Sequence, residues 1–268
     1  DAFINKAKTK VISSNDHFYL AVETKFKLTV VENGDTTFVK NKHFEVDTEL
    51  DLSETKNTLT IQETEVNFEN SSFGFSGVVG LTKDAELDLK FNGEKPNFDL
   101  IIAIAPEEIA ETFRQFDNEG KVYFNATVKG KSANGNMPAI NANFGCENGY
   151  FNNLETKKLL NKIGFSGSFT NGSKRDLSTM ELKVNKFSAR PEAGVFSGRI
   201  AVKNFESPDI DIRLVSDFDL DFLAKFSNAK ELKGLDGKVK VTMNFHDIID
   251  LQQPEKAIEK LNESYFTE

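Results

Sequence analysis

The sequence predicts a mainly β protein built on antiparallel sheet. Apolar and polar residues alternate along most of its 268 residues. That is the period of a strand that buries one face and wets the other. Clusters of Asn, Gly, Asp and Ser interrupt the alternation, as at Asn33-Gly34-Asp35, Asn70-Ser71-Ser72, Asn92-Gly93 and Asn171-Gly172-Ser173; these residues tolerate the backbone of tight turns. Helical spacing is confined to a few short stretches. The expected architecture is one elongated, curved antiparallel sheet, folded like a taco or half-barrel groove, with internal repeats and a few short helices.

The first clear strand is 18–31, with Phe18, Leu20, Val22, Phe26, Leu28 and Val30 on one side and Glu23, Lys25 and Lys27 on the other. Strands follow at 37–52, 57–68, 72–81, 85–92, 120–130 and 138–147. Beyond these come 158–170, 177–190, 194–204, 208–216 and 237–246. Residues 98–117 space Ile101, Ile104, Ile109, Phe113 and Phe116 three to five apart. They read as a short apolar helix and a second one opened by Pro106, whose ring suits a first turn, with Glu107 and Glu108 at the positive dipole end. Residues 218–226 are a weaker counterpart, and 254–263 are expected to form a terminal helix.

An internal repeat is visible. Leu59, Ile61, Val66 and Phe68 precede Phe75-Ser76-Gly77, and Met180, Leu182, Phe187 and Ala189 precede Phe196-Ser197-Gly198 at an offset of 121. In both, the apolar phase slips partway along the first strand, which predicts a bulge. Glu86–Phe91 then matches Asp209–Leu214, Asn97–Leu100 matches Asp217–Leu220, and Gly120-Lys121-Val122 matches Gly237-Lys238-Val239. The copies, at about 58–130 and 179–247, suggest a stack of similar units within a single elongated β domain over 1–268. Phe75 and Phe196 are expected at equivalent places, with Gly120 and Gly237 each opening a strand.

Composition excludes several function classes. Forty-two acidic against 33 basic residues give a net charge of -9, a poor basis for nucleic-acid binding. The longest apolar run, Leu100–Ala105, is far short of the ~20 residues of a membrane helix. The single Cys146 rules out a disulfide framework and reads as a small buried residue in an apolar strand. The chain starts at Asp1 without a methionine or a signal pattern, as a processed or excised chain would.

Chemistry-bearing constellations are weak. Asp209, Asp211, Asp217, Asp219 and Asp221 alternate, but they lack the glycine of a calcium loop and read as the wet face of a strand and the start of a helix. Asp99, Glu107, Glu108 and Glu111 read as a solvated helix face. His17, His43 and His246 lack zinc-ligand spacing. Gly130-Lys131-Ser132 has no glycine at Asn125 to complete a phosphate loop, and Phe-Ser-Gly lies within strands instead of at a nucleophile elbow. No catalytic residue, metal or cofactor is expected, and the protein reads as a non-enzyme.

The unusual feature is 25 Phe against 4 Tyr and no Trp. Phe lacks a polar handle and suits a face that stays dry or meets hydrocarbon. Twelve or so one-sided strands need a cover, which can be the sheet itself, helices or lipid. A self-packed core and a lipid-facing groove both fit.

Several segments carry a family resemblance. They are Leu87-Asp88-Leu89-Lys90-Phe91-Asn92-Gly93, Ile101–Pro106-Glu107-Glu108, Gly120-Lys121-Val122-Tyr123-Phe124 with Lys129-Gly130, Asn143–Phe151, Ile163–Gly172, Asp176–Thr179 and Leu235–Val239. Over about 50–250 the sequence resembles the AsmA-like proteins of Gram-negative bacteria, in the form common in the Bacteroidetes. The resemblance implies kinship with TamB and the chorein-type bridge-like lipid transfer proteins, whose curved sheets conduct lipids along an apolar face. It implies a periplasmic β-rich body, anchored in the inner membrane by a segment absent here, and a role in lipid transport or outer-membrane homeostasis with phospholipid or another lipid as partner. The chain then reads as a fragment of a longer protein. The residues expected to line the groove are Val122, Phe124, Val128, Ile163, Phe165, Phe169, Ile200, Val202, Ile210, Ile212, Val239, Val241 and Phe245. The competing expectation is a structural or adhesive β-domain with a packed core and a protein partner.

Overall fold

A computed structural model describes residues 2–29, 31–32, 35–36, 42–69, 71–104, 113–133, 135–227 and 237–246. The strands are β1 (Ala2–Ser14), β2 (His17–Leu28), β3 (Val31–Glu32), β4 (Asp35–Thr36), β5 (Lys42–Ser53), β6 (Thr58–Phe68), β7 (Ser71–Gly80) and β8 (Glu86–Lys95). The later ones are β9 (Phe116–Lys131), β10 (Ala139–Asn153), β11 (Leu159–Thr170), β12 (Glu181–Arg190), β13 (Gly194–Lys203), β14 (Asp209–Asp219) and β15 (Lys238–His246). Two short helices, α1 (Asp99–Ile104) and α2 (Leu220–Ser227), and a 3-10 turn at Leu177–Thr179 complete the described elements. The protein is mainly β. Thirteen strands form one sheet in the order β1-β2-β5-β6-β7-β8-β9-β10-β11-β12-β13-β14-β15, which does not close on itself, and β3 pairs with β4.

Among the described residues the alternating segments form strands close to their expected limits, except that β2 ends at Leu28; Val30 and the first part of the 37–52 strand, 37–41, lie outside the described residues. The tract 177–190 opens with the 3-10 turn before β12, and β10 continues six residues past 147. β1 is an element the alternation does not announce. Its face toward the β2 apolar side carries Ala7, Thr9, Val11 and Ser13, which is hardly apolar, and its register shifts between Ile4 and Lys6. Helix α1 stands where the first half of the 98–117 tract places it, and α2 matches its counterpart. The helix expected from Pro106 lies outside the described residues over 105–112, with Glu107, Glu108 and Glu111, and it does not reach the expected 117, because Phe116 already opens β9. The terminal helix at 254–263 lies wholly outside the described residues.

The chain forms two compact units that divide β9 between Val122 and Tyr123. The first holds β1 to β8, α1 and the later part of β9. The second holds the start of β9, β10 from Asn141 onward, β11 to β15 and α2.

The order β6, β7, β8, α1, β9 recurs as β12, β13, β14, α2, β15. The bulge falls between Ile61 and Thr64 in β6 and between Val184 and Phe187 in β12, an offset of 123 and not the 121 of the motifs. Thr64 faces Phe75 in the first copy, and Phe187 faces Gly198 in the second. Phe75 therefore corresponds in register to Gly198, and Phe196 to Phe73. The second hairpin turns two residues nearer its Phe-Ser-Gly, and a shift of two keeps every side chain on its face. Gly237 directly precedes β15, but Gly120 lies inside β9, because the strand starts at Phe116, where the ring packs on Phe151 and Phe226. Both glycines have positive φ, 155° at Gly120 and 120° at Gly237, which a side chain would resist.

Candidate functional site: an uncharged sheet face in each unit

Directly opposed residues of antiparallel strands share a face, so the register settles what each face carries. In the second unit Phe169, Leu182, Val202 and Ile210 form one cross-strand row. The next row runs Phe144, Gly167, Val184, Ile200, Ile212 and Phe245. Two residues on, Phe187, Gly198, Leu214 and Met243 align, followed by Ala189, Phe196, Ser216 and Val241 and then by Gly194, Phe218 and Val239. Phe165 stands opposite Cys146, and Ile163 opposite Gly149. No residue in these rows is charged. The structure thus brings Ile163, Phe165, Phe169, Ile200, Val202, Ile210, Ile212, Val239, Val241 and Phe245 onto one face.

Their burial differs. Ile163, Val202 and Ile210 are buried, Phe165, Phe169, Ile212, Val239 and Val241 are half-buried, and Ile200 is 38% exposed. Buried residues stand at both ends of this face, Val202 and Ile210 in the first row and Ala189, Ser216 and Phe218 toward the end of β14 that leads into α2. In α2 Phe222 is buried, and Phe226 stacks on Phe222 at 5.3 Å and meets the Phe116 ring at a tilt at 4.8 Å. Val122, at the start of β9, is buried as well.

The first unit carries a face of the same kind, to which the sequence assigned only Phe124 and Val128, both half-buried in β9. Phe26, Phe44 and Phe68 form a row, with Phe26 and Phe44 stacked at 5.1 Å. Val46, Val66 and Phe73 form the next. Leu20, Leu50, Ile61, Gly77 and Leu89 form another, and Phe18, Leu52, Leu59, Val79 and Leu87 a fourth. Of these residues only Val66 and Phe68 are buried; the rest are half-buried. The alternation that located the second unit's face was equally available here. Polar residues enter this face at Thr24, opposite Val46, at Ser71, opposite Phe68, and in the row Val22, Thr48, Thr64, Phe75 and Phe91, in which the Thr48 and Thr64 hydroxyls meet at 2.6 Å.

The opposite faces are charged and cross-linked. Lys8 pairs with Glu23 at 3.1 Å, Lys25 with Glu45 at 2.7 Å and Lys129 with Asp88 at 2.8 Å in the first unit. Arg199 pairs with Asp211 at 3.2 Å in the second. The Lys129 hydrogen bond lowers the Asp88 pKa below the usual carboxylate value and raises that of the lysine. Such exposed pairs contribute little stability, but they mark which side meets water.

The residues weighed for chemistry are dispersed. Asp217 and Asp219 stand opposite Lys240 and Lys238. The Asp219 carboxylate accepts the Asp221 N–H at 2.9 Å, opening α2. His17 lies 2.7 Å from Asp51, and His43 lies 3.4 Å from Glu69. His246 sits opposite Asp211. Among the described residues no three His, Cys, Asp or Glu converge on a metal-sized space. Cys146 is buried, and burial pushes its thiol pKa up to about 11. No helix among the described residues is long and apolar enough to cross a membrane. No family model matches the chain, and neither the curated proteins nor the solved structures contain a match to it.

Proposed function

We propose that this chain is a segment of an AsmA-like envelope protein that carries lipid acyl chains on the uncharged faces of its β-sheet. The observation that supports this best is the combination of composition and exposure. Row after row of Phe, Leu, Ile and Val lacks a charge, yet most of these side chains are only half-buried. A large unsatisfied apolar surface marks a binding site, and hydrocarbon satisfies it without asking for hydrogen bonds. Each ring or branched side chain that an acyl chain covers adds about 1 kcal/mol. Phe, with no polar tip, suits that contact better than Tyr or Trp would. On this reading the parent protein is non-enzymatic, is held at the inner membrane by a segment absent here, and works in the periplasm in lipid transport or outer-membrane homeostasis.

The experiment is native mass spectrometry of the chain, released gently from lipid-containing cells and, separately, after exposure to phospholipid vesicles. Discrete adducts of phospholipid mass are expected in both preparations. A chain that stays bare in both moves the assignment to a self-packed β-domain that binds a protein partner.

A further inference from the structure

We infer that Gly93 sets the depth of the first unit's acyl-binding surface by letting the Phe124 ring lie down on the neighbouring strand. This deepens the lipid-carrying reading and rests on it. β8 and β9 are neighbours in the sheet. Gly93 follows Leu87, Leu89 and Phe91 on the uncharged side of β8. A Cβ on Gly93 would collide with the Phe124 ring: Cε1 is the nearest atom, Cζ lies at 3.0 Å and Cδ1 at 3.3 Å. The ring thus occupies the space directly over the Gly93 backbone, where no side chain holds it off.

A phenylalanine beside a bulkier residue stands out from the sheet; one laid across a glycine exposes its broad face and leaves the volume above free. The second unit repeats the device, since the Phe144 ring covers Gly167 directly opposite it. There the Lys183 carbonyl, 2.7 Å from the same Cβ position, also forbids a side chain, so Gly167 is required for folding whatever the ring does. At Gly93 the three nearest atoms all belong to the ring, so a Cβ acts first on the ring's position. Gly93→Ala must therefore lift Phe124 into the space that an acyl chain would fill.

The test uses the full chain and phosphatidylethanolamine bearing a fluorescent acyl chain, titrated by fluorescence, with thermal melting read on every variant. If the parent binds, Gly93→Ala should weaken binding about tenfold, the penalty of roughly one misplaced methylene in an apolar site. Gly93→Ala with Phe124→Leu should recover most of the loss, because the smaller side chain removes the obstruction. Phe124→Leu alone gives up part of the ring surface offered to the acyl chain and should bind somewhat more weakly than the parent. The double variant should match it, and that comparison decides the matter if Gly93→Ala alone fails to fold. Unchanged binding by Gly93→Ala overturns the inference and leaves lipid carriage standing. Failure of the double variant to recover, or binding by the double variant that is well below that of Phe124→Leu alone, overturns it as well. A parent that binds no probe removes lipid carriage itself, and the inference with it.

Discussion

The side chain of Asn153, at the end of β10, donates a 2.9 Å hydrogen bond to the carbonyl of Phe226 in α2, 73 residues away. The same side chain accepts the N–H groups of Glu155 and Thr156, each at 2.9 Å, so one buried amide shapes the β10–β11 turn and ties it to the helix. Removing it costs three part-buried hydrogen bonds, about 1–3 kcal/mol in all. Asn153→Ala should lower the melting temperature by several degrees. Asn153→Asp, which keeps the two accepted bonds and loses the donated one, should fall between that variant and the parent. A melt of Asn153→Ala within a degree of the parent would show that the turn and α2 are held by other contacts.

The Thr48 and Thr64 hydroxyls form a second buried polar contact, set in an apolar row. Thr64 also donates to the Gln62 carbonyl at 2.9 Å, so Thr48 is the donor between the two. Thr64→Val strands the Thr48 hydroxyl and should cost about 1–3 kcal/mol by denaturant unfolding. Thr48→Val should cost less, because Thr64 keeps its bond to Gln62. The double valine variant should be more stable than Thr64→Val alone, which is a coupling that a double-mutant cycle reads directly.

Burial of the Cys146 thiol gives a pH dependence with a defined sign. Its folded pKa, about 11, lies above the ordinary 9.0. Between those values the unfolded chain has lost the proton that the folded chain keeps. Stability from this group is therefore complete below about pH 9 and declines as the pH rises toward 11. Cys146→Ala should show a shallower fall in stability over that window than the parent. At pH 8 only about one thiol in a thousand is ionised in the folded state, so alkylation by iodoacetamide should wait on unfolding. Fast labelling of the folded protein would refute the assignment.

Phe165 and Ile210 separate a surface that holds lipid from one that packs on protein. Phe165 is half-buried and Ile210 is 2% exposed. Phe165→Glu should abolish phospholipid adducts with a modest loss in melting temperature, because its carboxylate reaches water when lipid is absent. Ile210→Glu should unfold the second unit, since a buried unpaired carboxylate is among the most damaging substitutions. Equal collapse of both variants would favour a fully packed core.

The period-two alternation located every long strand from β2 onward, because one apolar face per strand writes itself into the sequence. It failed at β1, where Ala7, Thr9 and Ser13 supply too little hydrophobicity and the shift after Ile4 breaks the phase. The repeat was legible as an order of elements but not in register. Matching Phe75 to Phe196 aligns residue types, whereas the position of each hairpin turn aligns the strands, and the two differ by two residues. For the site, alternation identified the second unit's face and overlooked most of the first. Pairing across strands, which shows that Phe26, Phe44 and Phe68 share a row, is not written in any single strand. The Gly93–Phe124 contact was hidden for the same reason, since nothing in either segment announces its neighbour.

Strand order in the main sheet follows chain order throughout, with β3 and β4 as an excursion between β2 and β5. Each strand therefore finds its partners immediately before and after it in the chain, joined by turns that in most cases span only a few residues. Such local pairing makes loop closure cheap and folding fast for an all-β protein. A ribosome could release this chain one hairpin at a time, with every new strand adding to a finished edge and none waiting for a distant partner. Genes encoding such sheets can lengthen or shorten by whole strand pairs without rebuilding what came before. The cost is borne at the growing edge, which exposes unpaired backbone to any passing strand until the next segment arrives.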